Sequence, residues 1–241
     1  MKLSIDLHIH SALSPCGDNE MTPNNIVNMA YLKGLDVIAV TDHNTMLNAK
    51  PVMELGKEKN ILVIPGIEVT TKEEVHVLCY FKELKSGMKF QDIIYDNLPN
   101  VKNNTEVFGK QLIFNKKDKV IGEVNKLLIN STNFSLSEIR DLAIKYGGVV
   151  VPAHIDKKAY SIISVLGFMP DNLKFNTVEI SVNQDYSLLD KFIDIGNYNV
   201  IVNSDAHYLG DINERISFID VKDKTIGSVI SYLVKKRRNK V

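Results

Sequence analysis

The sequence predicts an α/β fold of the (β/α)-barrel kind, and three observations carry that prediction. Short apolar runs recur along the 241 residues with helical patterns between them. All six histidines sit at the ends of such runs. Acidic residues, Asp42, Glu68 and Asp205, accompany them at the same positions. In barrels of this kind the chemistry gathers at the carboxyl-terminal rim of the strands, where these side chains fall.

The elements follow in order. Leu3–His10 alternates strictly, with Leu3, Ile5, Leu7 and Ile9 on one face and Ser4, Asp6, His8 and His10 on the other. Both histidines thus leave one strand in the same direction, as joint metal ligation requires. Thr22-Pro23 opens a helix, with Thr as N-cap and Pro at the first helical position, that runs to Gly34. Val37–Val40 is a short buried strand ending at Thr41-Asp42-His43. A helix from about Thr45 to Asn60 is expected to be interrupted by Pro51. Ile61–Ile64 continues to Glu68, and Val75–Phe81 is the next strand. The gap between them is too short for a parallel crossover, so a hairpin is expected, with His76 on the same rim as Glu68.

Residues 82–133, rich in Lys and Asn, read as an insertion with helices near Phe90–Leu98 and Lys119–Ile129. Ser135–Glu138 is a capping box that opens another helix, ending at Gly147-Gly148. Strands are expected at Val149–His154, Thr177–Ser181, Val200–Asp205 and Ile216–Val221, and a terminal helix at Thr225–Arg237.

Bulk properties narrow the function classes. Lys+Arg and Asp+Glu both number 29, so no global charge favours nucleic acid, membrane or acidic partners. Cys16 and Cys79 are the only cysteines, too few for a disulfide framework, which favours a reducing compartment. No apolar run approaches the roughly 18 residues of a bilayer span, and the amino terminus does not read as a signal peptide. The expectation is a cytoplasmic protein without a membrane partner.

His8-x-His10, Thr41-Asp42-His43, Glu68 with His76 eight residues on, His154 after a strand, and Ser204–His207 together resemble the PHP (polymerase and histidinol phosphatase) superfamily. The resemblance covers essentially the whole length and is loose over 82–133. It implies one domain over 1–241, a distorted seven-stranded barrel whose rim binds two or three divalent metals. One metal would take His8, His10, Glu68 and Asp205. A second would share Glu68 and add His76 and His154. The third would take His43, His207 and an acidic residue from the loop after the first strand. Many members carry Ser-Asp-Gly there; this chain has the longer Ser14-Pro15-Cys16-Gly17-Asp18, with Asp18 as the expected ligand and the Cys16 thiolate as the alternative. Imidazole and carboxylate sets suit Zn, Mn or Fe better than Ca or Mg.

The expected activity is hydrolysis of a phosphomonoester or nucleotide phosphate by a metal-activated hydroxide. Glu68, Asp205 and His207 are the candidate catalytic groups. Lys157 and Arg215, with Lys158, are candidate cations for the substrate phosphate. Asp42 is expected to orient a ligand histidine, and Glu179 is either a buried supporting acid or a solvated rim residue. The partner is then a small phosphorylated metabolite or nucleotide. Cleavage of short oligonucleotides is the enzymatic alternative, and a metal-braced module without catalysis is the non-enzymatic one. C–N hydrolysis of the amidohydrolase type is disfavoured, since no Lys stands at a strand end to bridge two metals.

Overall fold

A computed structural model describes residues 1–182, 189 and 191–237 of the chain. It opens with β1 (Lys2–Ile9), α1 (Pro23–Leu32), β2 (Val37–Val40), α2 (Ala49–Glu58) and β3 (Leu62–Thr70). Parallel pairing of β1, β2 and β3 places these strands side by side with their carboxyl ends at one rim. Thr22 caps α1 as the sequence predicts, its hydroxyl accepting from the Asn25 amide. Pro51 does not interrupt α2. The helix begins at Ala49, so Pro51 lies in the first turn, where no amide has an intrahelical partner to lose.

β3 and β4 (His76–Phe81) form the expected antiparallel hairpin, with Thr70 opposite His76. Next come α3 (Leu84–Asp96), a single turn α4 (Thr105–Phe108), β5 (Leu112–Phe114) and β6 (Val120–Glu123). The helix expected near Lys119–Ile129 is therefore strand and loop. Asn115 accepts the amides of Lys117 and Lys119 through Oδ1, and Asp118 takes a left-handed φ of 54°. That tight turn commits Val120 and Gly122 to pairing with β5. By contrast α3 belongs to the core, burying Phe90 and Ile94 against β4 and α5 (Leu136–Lys145). The capping box of α5 forms with both reciprocal bonds.

The chain continues through β7 (Gly148–Pro152), α6 (Ile162–Leu166), β8 (Thr177–Ser181), β9 (Asn199–Asn203), β10 (Phe218–Asp220) and α7 (Ile226–Val234). α7 ends before Lys235, so Lys235–Arg237 follow the helix instead of closing it. Arg238, Asn239 and Lys240 lie outside the described residues.

The strands form a curled six-stranded sheet in the order β10-β1-β2-β3-β4-β7, and a separate parallel ribbon of β8 and β9. Among the described residues, ladders do not close the seven-stranded barrel expected from the sequence. β10 occupies the free edge of β1 over Lys2–Ser4. Beyond it, the Leu7 amide donates to Asn203 Oδ1 at 2.8 Å instead of to a strand carbonyl. The ribbon meets the sheet through isolated bonds, His10 N to Ala206 O and Ile155 N to Glu179 O, both 2.9 Å.

The inner core combines Ile5, Leu7, Ala39, Ile64, Leu78, Val151 and Ile201 with Val229 and Leu233 of α7. Outer layers bury α1 and α2 on one flank and α3 and α5 on the other. The alternation of β1 breaks. Its register against β2 shifts between Asp6 and Ile9, and Ile9 packs in the outer layer while Leu3, Ile5 and Leu7 fill the inner one. A bulge of this kind re-aims side chains. It turns His8 and His10 onto the side that Leu7 faces, above the apolar floor.

Candidate metal centre

Glu68, near the end of β3, stands at the centre of the rim and is almost fully buried. Five imidazole nitrogens surround its carboxylate: His76 Nδ1 and His43 Nδ1 at 3.0 Å, His8 Nε2 at 3.3 Å, and His10 Nε2 and His154 Nε2 at 3.4 Å. They come from β1, the loops after β1, β2 and β7, and β4. Yet among the described residues both Glu68 oxygens, His43 Nδ1 and His154 Nδ1 are buried without a well-formed hydrogen bond. The groups converge on shared space without aiming at one another. Unpaired buried carboxylate oxygens cost about several kcal/mol; a cation among them would satisfy the oxygens and the imidazole lone pairs together. The donor set, imidazole with carboxylate, fits a divalent metal of the Zn, Mn or Fe type.

His8 and His10 approach through Nε2, 3.2 Å apart, and both lie within 3.2 Å of Asp205 Oδ1. Their outer nitrogens are held from behind. His8 Nδ1 faces Glu179 at 3.0 Å, and His10 Nδ1 faces Ser14 Oγ at 2.9 Å. Glu179 on β8 also accepts from the His154 amide and from Asn203 Nδ2, so one buried acid fixes three pieces of the rim. The sequence left Glu179 undecided, because nothing local distinguishes an inward acid on a strand from a solvated one. Asp42 acts as expected, through intermediaries: it accepts from the Ser11 amide and from the Ser11 and Ser14 hydroxyls, and Ser14 meets His10. Backbone strain collects here, with left-handed φ at Asn44 (54°), His154 (27°) and Asp205 (52°), none of them glycine.

A second grouping brings His10, Cys16, His43 and His207 together, with one ligand atom of each within 4.8 Å of the others. His207 Nδ1 lies 2.7 Å from the Asp205 carbonyl. A carbonyl only accepts, so Nδ1 carries the proton and Nε2 keeps its lone pair. Asp18 is not in this grouping; its Oδ1 accepts the Glu20 amide at 2.8 Å.

Neighbouring charges and burial shift these groups in opposite directions: against the pull of burial, nearby acids hold His8 and His43 well above the usual imidazole value. Burial opposes a charged Glu68, but His76, His8 and His43 outweigh it and hold its pKa well below the usual value. Burial drives His10 down to about 3, leaving the neutral imidazole that ligates. Burial would raise Cys16, yet His43 and His207 bring it down to about 7.

Beside the centre a cavity of about 370 Å³ is bounded by Glu68, His76, Lys157, Lys158, Tyr160 and Asp205. Lys157 pairs with Asp205 Oδ2. Tyr160, half exposed, stacks on His76 with ring centroids 4.7 Å apart and planes 16° apart. Arg215 does not reach this rim. It lies against Gly34 and 3.6 Å from Asp36, at the amino end of β2, because the chain turns back there to enter β10.

A curled α/β sheet with a histidine- and carboxylate-lined rim defines a fold with groups that could hold a metal, and a family model narrows the class. The PHP domain model matches residues 6–155, and the chain belongs to that family, which is metal-dependent. Over 101 residues the chain is 33% identical to an uncharacterized protein of Methanocaldococcus jannaschii, covering 38% of this chain and 59% of that one. It is 33% identical over 81 residues to a 5'-3' exoribonuclease of Haemophilus influenzae, covering 32% and 28%. The chain thus spans less than two thirds of these relatives. Among solved structures it resembles a lesion-specific endonuclease of Pyrococcus furiosus, with a TM-score of 0.70 at 20% identity, over 97% of this chain and 56% of that one. At that identity the likeness speaks for the fold alone. Among the described residues no helix is long and apolar enough to cross a membrane.

Proposed function

We propose that the chain is a metal-dependent phosphoesterase that hydrolyses a phosphomonoester or nucleotide phosphate. The observation carrying this reading is the Glu68 cradle: a buried carboxylate among five imidazole nitrogens, open to a cavity with a lysine at its edge. His8, His10, Glu68 and Asp205 would hold one metal, and Glu68, His76 and His154 a second. His43 and His207 serve a third. Bound there, divalent metals would acidify water and neutralise phosphoryl oxygens.

The chain's own groups do the rest. Lys157, at the cavity edge, contributes a cation to a phosphoryl oxygen. Asp205 presents Oδ1 to the histidines and Oδ2 to Lys157, so it can accept a proton from attacking water and keep the lysine aimed inward. Tyr160 offers an aromatic face beside the lysines, which suits a nucleotide. Cleavage of short oligonucleotides is the second reading, supported by the name of one relative, a 5'-3' exoribonuclease.

The test is a phosphate-release panel of sugar phosphates, nucleotides and short oligonucleotides, run with metal content measured. We expect turnover of a monoester that is lost in Glu68→Gln while the protein stays folded. Confirmed metal loading with no turnover of any phosphoester would overturn the reading.

A further inference from the structure

We propose that Cys16 is a thiolate ligand of the third metal position, in place of the acidic residue the resemblance implies, and that this position therefore selects zinc, iron or cobalt over manganese. The inference rests on the metal reading of the rim but not on turnover.

The loop after β1 is built to present this thiol. Asp42 binds Ser11 and Ser14, and the Ser14 amide donates to Ser11 O at 3.0 Å. The Gly17 amide then donates to Ser14 O at 2.9 Å, and the Asp18 amide to His207 O at 2.9 Å. At Gly17 a Cβ would overlap the Ser11 carbonyl, so only glycine lets the turn close this tightly. Between these anchors Cys16 projects toward His10, His43 and His207. Asp18, two residues further, accepts the Glu20 amide at Oδ1 and lies outside the grouping.

Three further observations point to a ligand there. His43 is almost fully buried and brings a ring nitrogen within 4.8 Å of the Cys16 sulfur. His207 donates Nδ1–H backward to the Asp205 carbonyl, which leaves Nε2 with its lone pair. The rings of His10 and His207 stack with centroids 4.5 Å apart, which brings two imidazoles of the grouping side by side. A soft sulfur with imidazoles is a donor set of zinc and iron sites, whereas manganese prefers oxygen. Cys79, the other thiol, is fully buried on β4 in the outer apolar layer and serves as an internal control.

The test strips the full chain with a chelator and reloads it with cobalt(II), counting bound equivalents by elemental analysis. The wild type should show a near-ultraviolet sulfur-to-cobalt charge-transfer band, and Cys16→Ser should lose the band together with one cobalt. Cys16→Asp should hold the cobalt without the band and shift the zinc-over-manganese preference by at least about 10-fold toward manganese. Should Cys16→Ser fail to fold, alkylation of the wild type decides: zinc should protect one thiol that reacts once the metal is removed. Saturated wild type without the band, a band that persists in Cys16→Ser, or alkylation indifferent to zinc would each overturn the assignment. A cobalt–sulfur band in protein without phosphoesterase activity would sink the functional reading and leave this one standing.

Discussion

Glu179 shows how one buried acid can position several groups of the candidate metal centre. Its carboxylate takes His8 Nδ1, the His154 amide and Asn203 Nδ2, thereby fixing the tautomer and tilt of His8 and the strained turn that carries His154. Replacing such a supporting acid typically costs about 10–100-fold in metal affinity. Glu179→Gln should therefore weaken metal binding by that order in a competitive chelator titration. Unchanged affinity would show that His8 is positioned by packing alone. At this scale the candidate ligands and Asp42 were legible, and the other supports were not. His8, His10, His43, His76, His154, Glu68 and Asp205 announce themselves by chemistry and by position at strand ends. Glu179 and Ser14 have roles only through partners more than a hundred and only four residues away, respectively, and no local pattern marks either. Arg215 misled for the converse reason: it is near His207 in sequence, but the turn into β10 carries it to Asp36.

Among elements, β1 matters most, because its bulge decides which way two ligands face. Strict alternation places both histidines on one side but cannot reveal the register shift that turns them inward above Leu7. Helix ends were more legible, since caps are local. Ser135 and Glu138 bond reciprocally at the start of α5, and Ser135→Ala should cost about 1 kcal/mol in denaturant unfolding at neutral pH. The Ser135 amide and hydroxyl hold Glu138 below its ordinary value of 4.5. A depressed carboxylate stabilises the fold above its unfolded value, and that contribution disappears as pH falls through the folded value. The destabilisation caused by Glu138→Ala should accordingly be present at pH 7 and shrink below about pH 4. A pH-independent difference would mean that the carboxylate charge plays no part in the cap. Pro51 and the β5–β6 hairpin escaped the sequence for related reasons. One depended on where α2 begins, and the other on an Asn115 side chain outcompeting helix hydrogen bonds.

For the molecule as a whole, the rim is where the sheet and the β8–β9 ribbon meet, and ladders do not close that seam. The sequence shows that the strands exist, but closure depends on β10 taking one edge of β1 and on Asn203 intercepting the Leu7 amide, both long-range events. The proposed ligands come from β1, β3, β4 and the loops after β1, β2, β7 and β9, so bound metal would join parts of the chain that hydrogen bonding leaves loosely connected. A ligand that binds only the folded state adds about 2.7 kcal/mol at a hundredfold excess over its Kd. For a chain of this length that corresponds to a rise of roughly 5–10 °C in Tm per site. Chelation should lower Tm by at least that amount, and readdition of zinc should restore it in proportion to the logarithm of free metal. The gain should fade as pH falls toward 5, because ligation requires neutral imidazoles and protons then compete for the same lone pairs. The alternative, a rim already satisfied by its own ion pairs, makes the opposite forecast. His8, held well above its usual pKa by Glu179, Asp205 and Glu68 against the pull of burial, would stay charged and paired as the pH fell. Chelation would then leave Tm unmoved, and the orphaned oxygens of Glu68 would need another explanation.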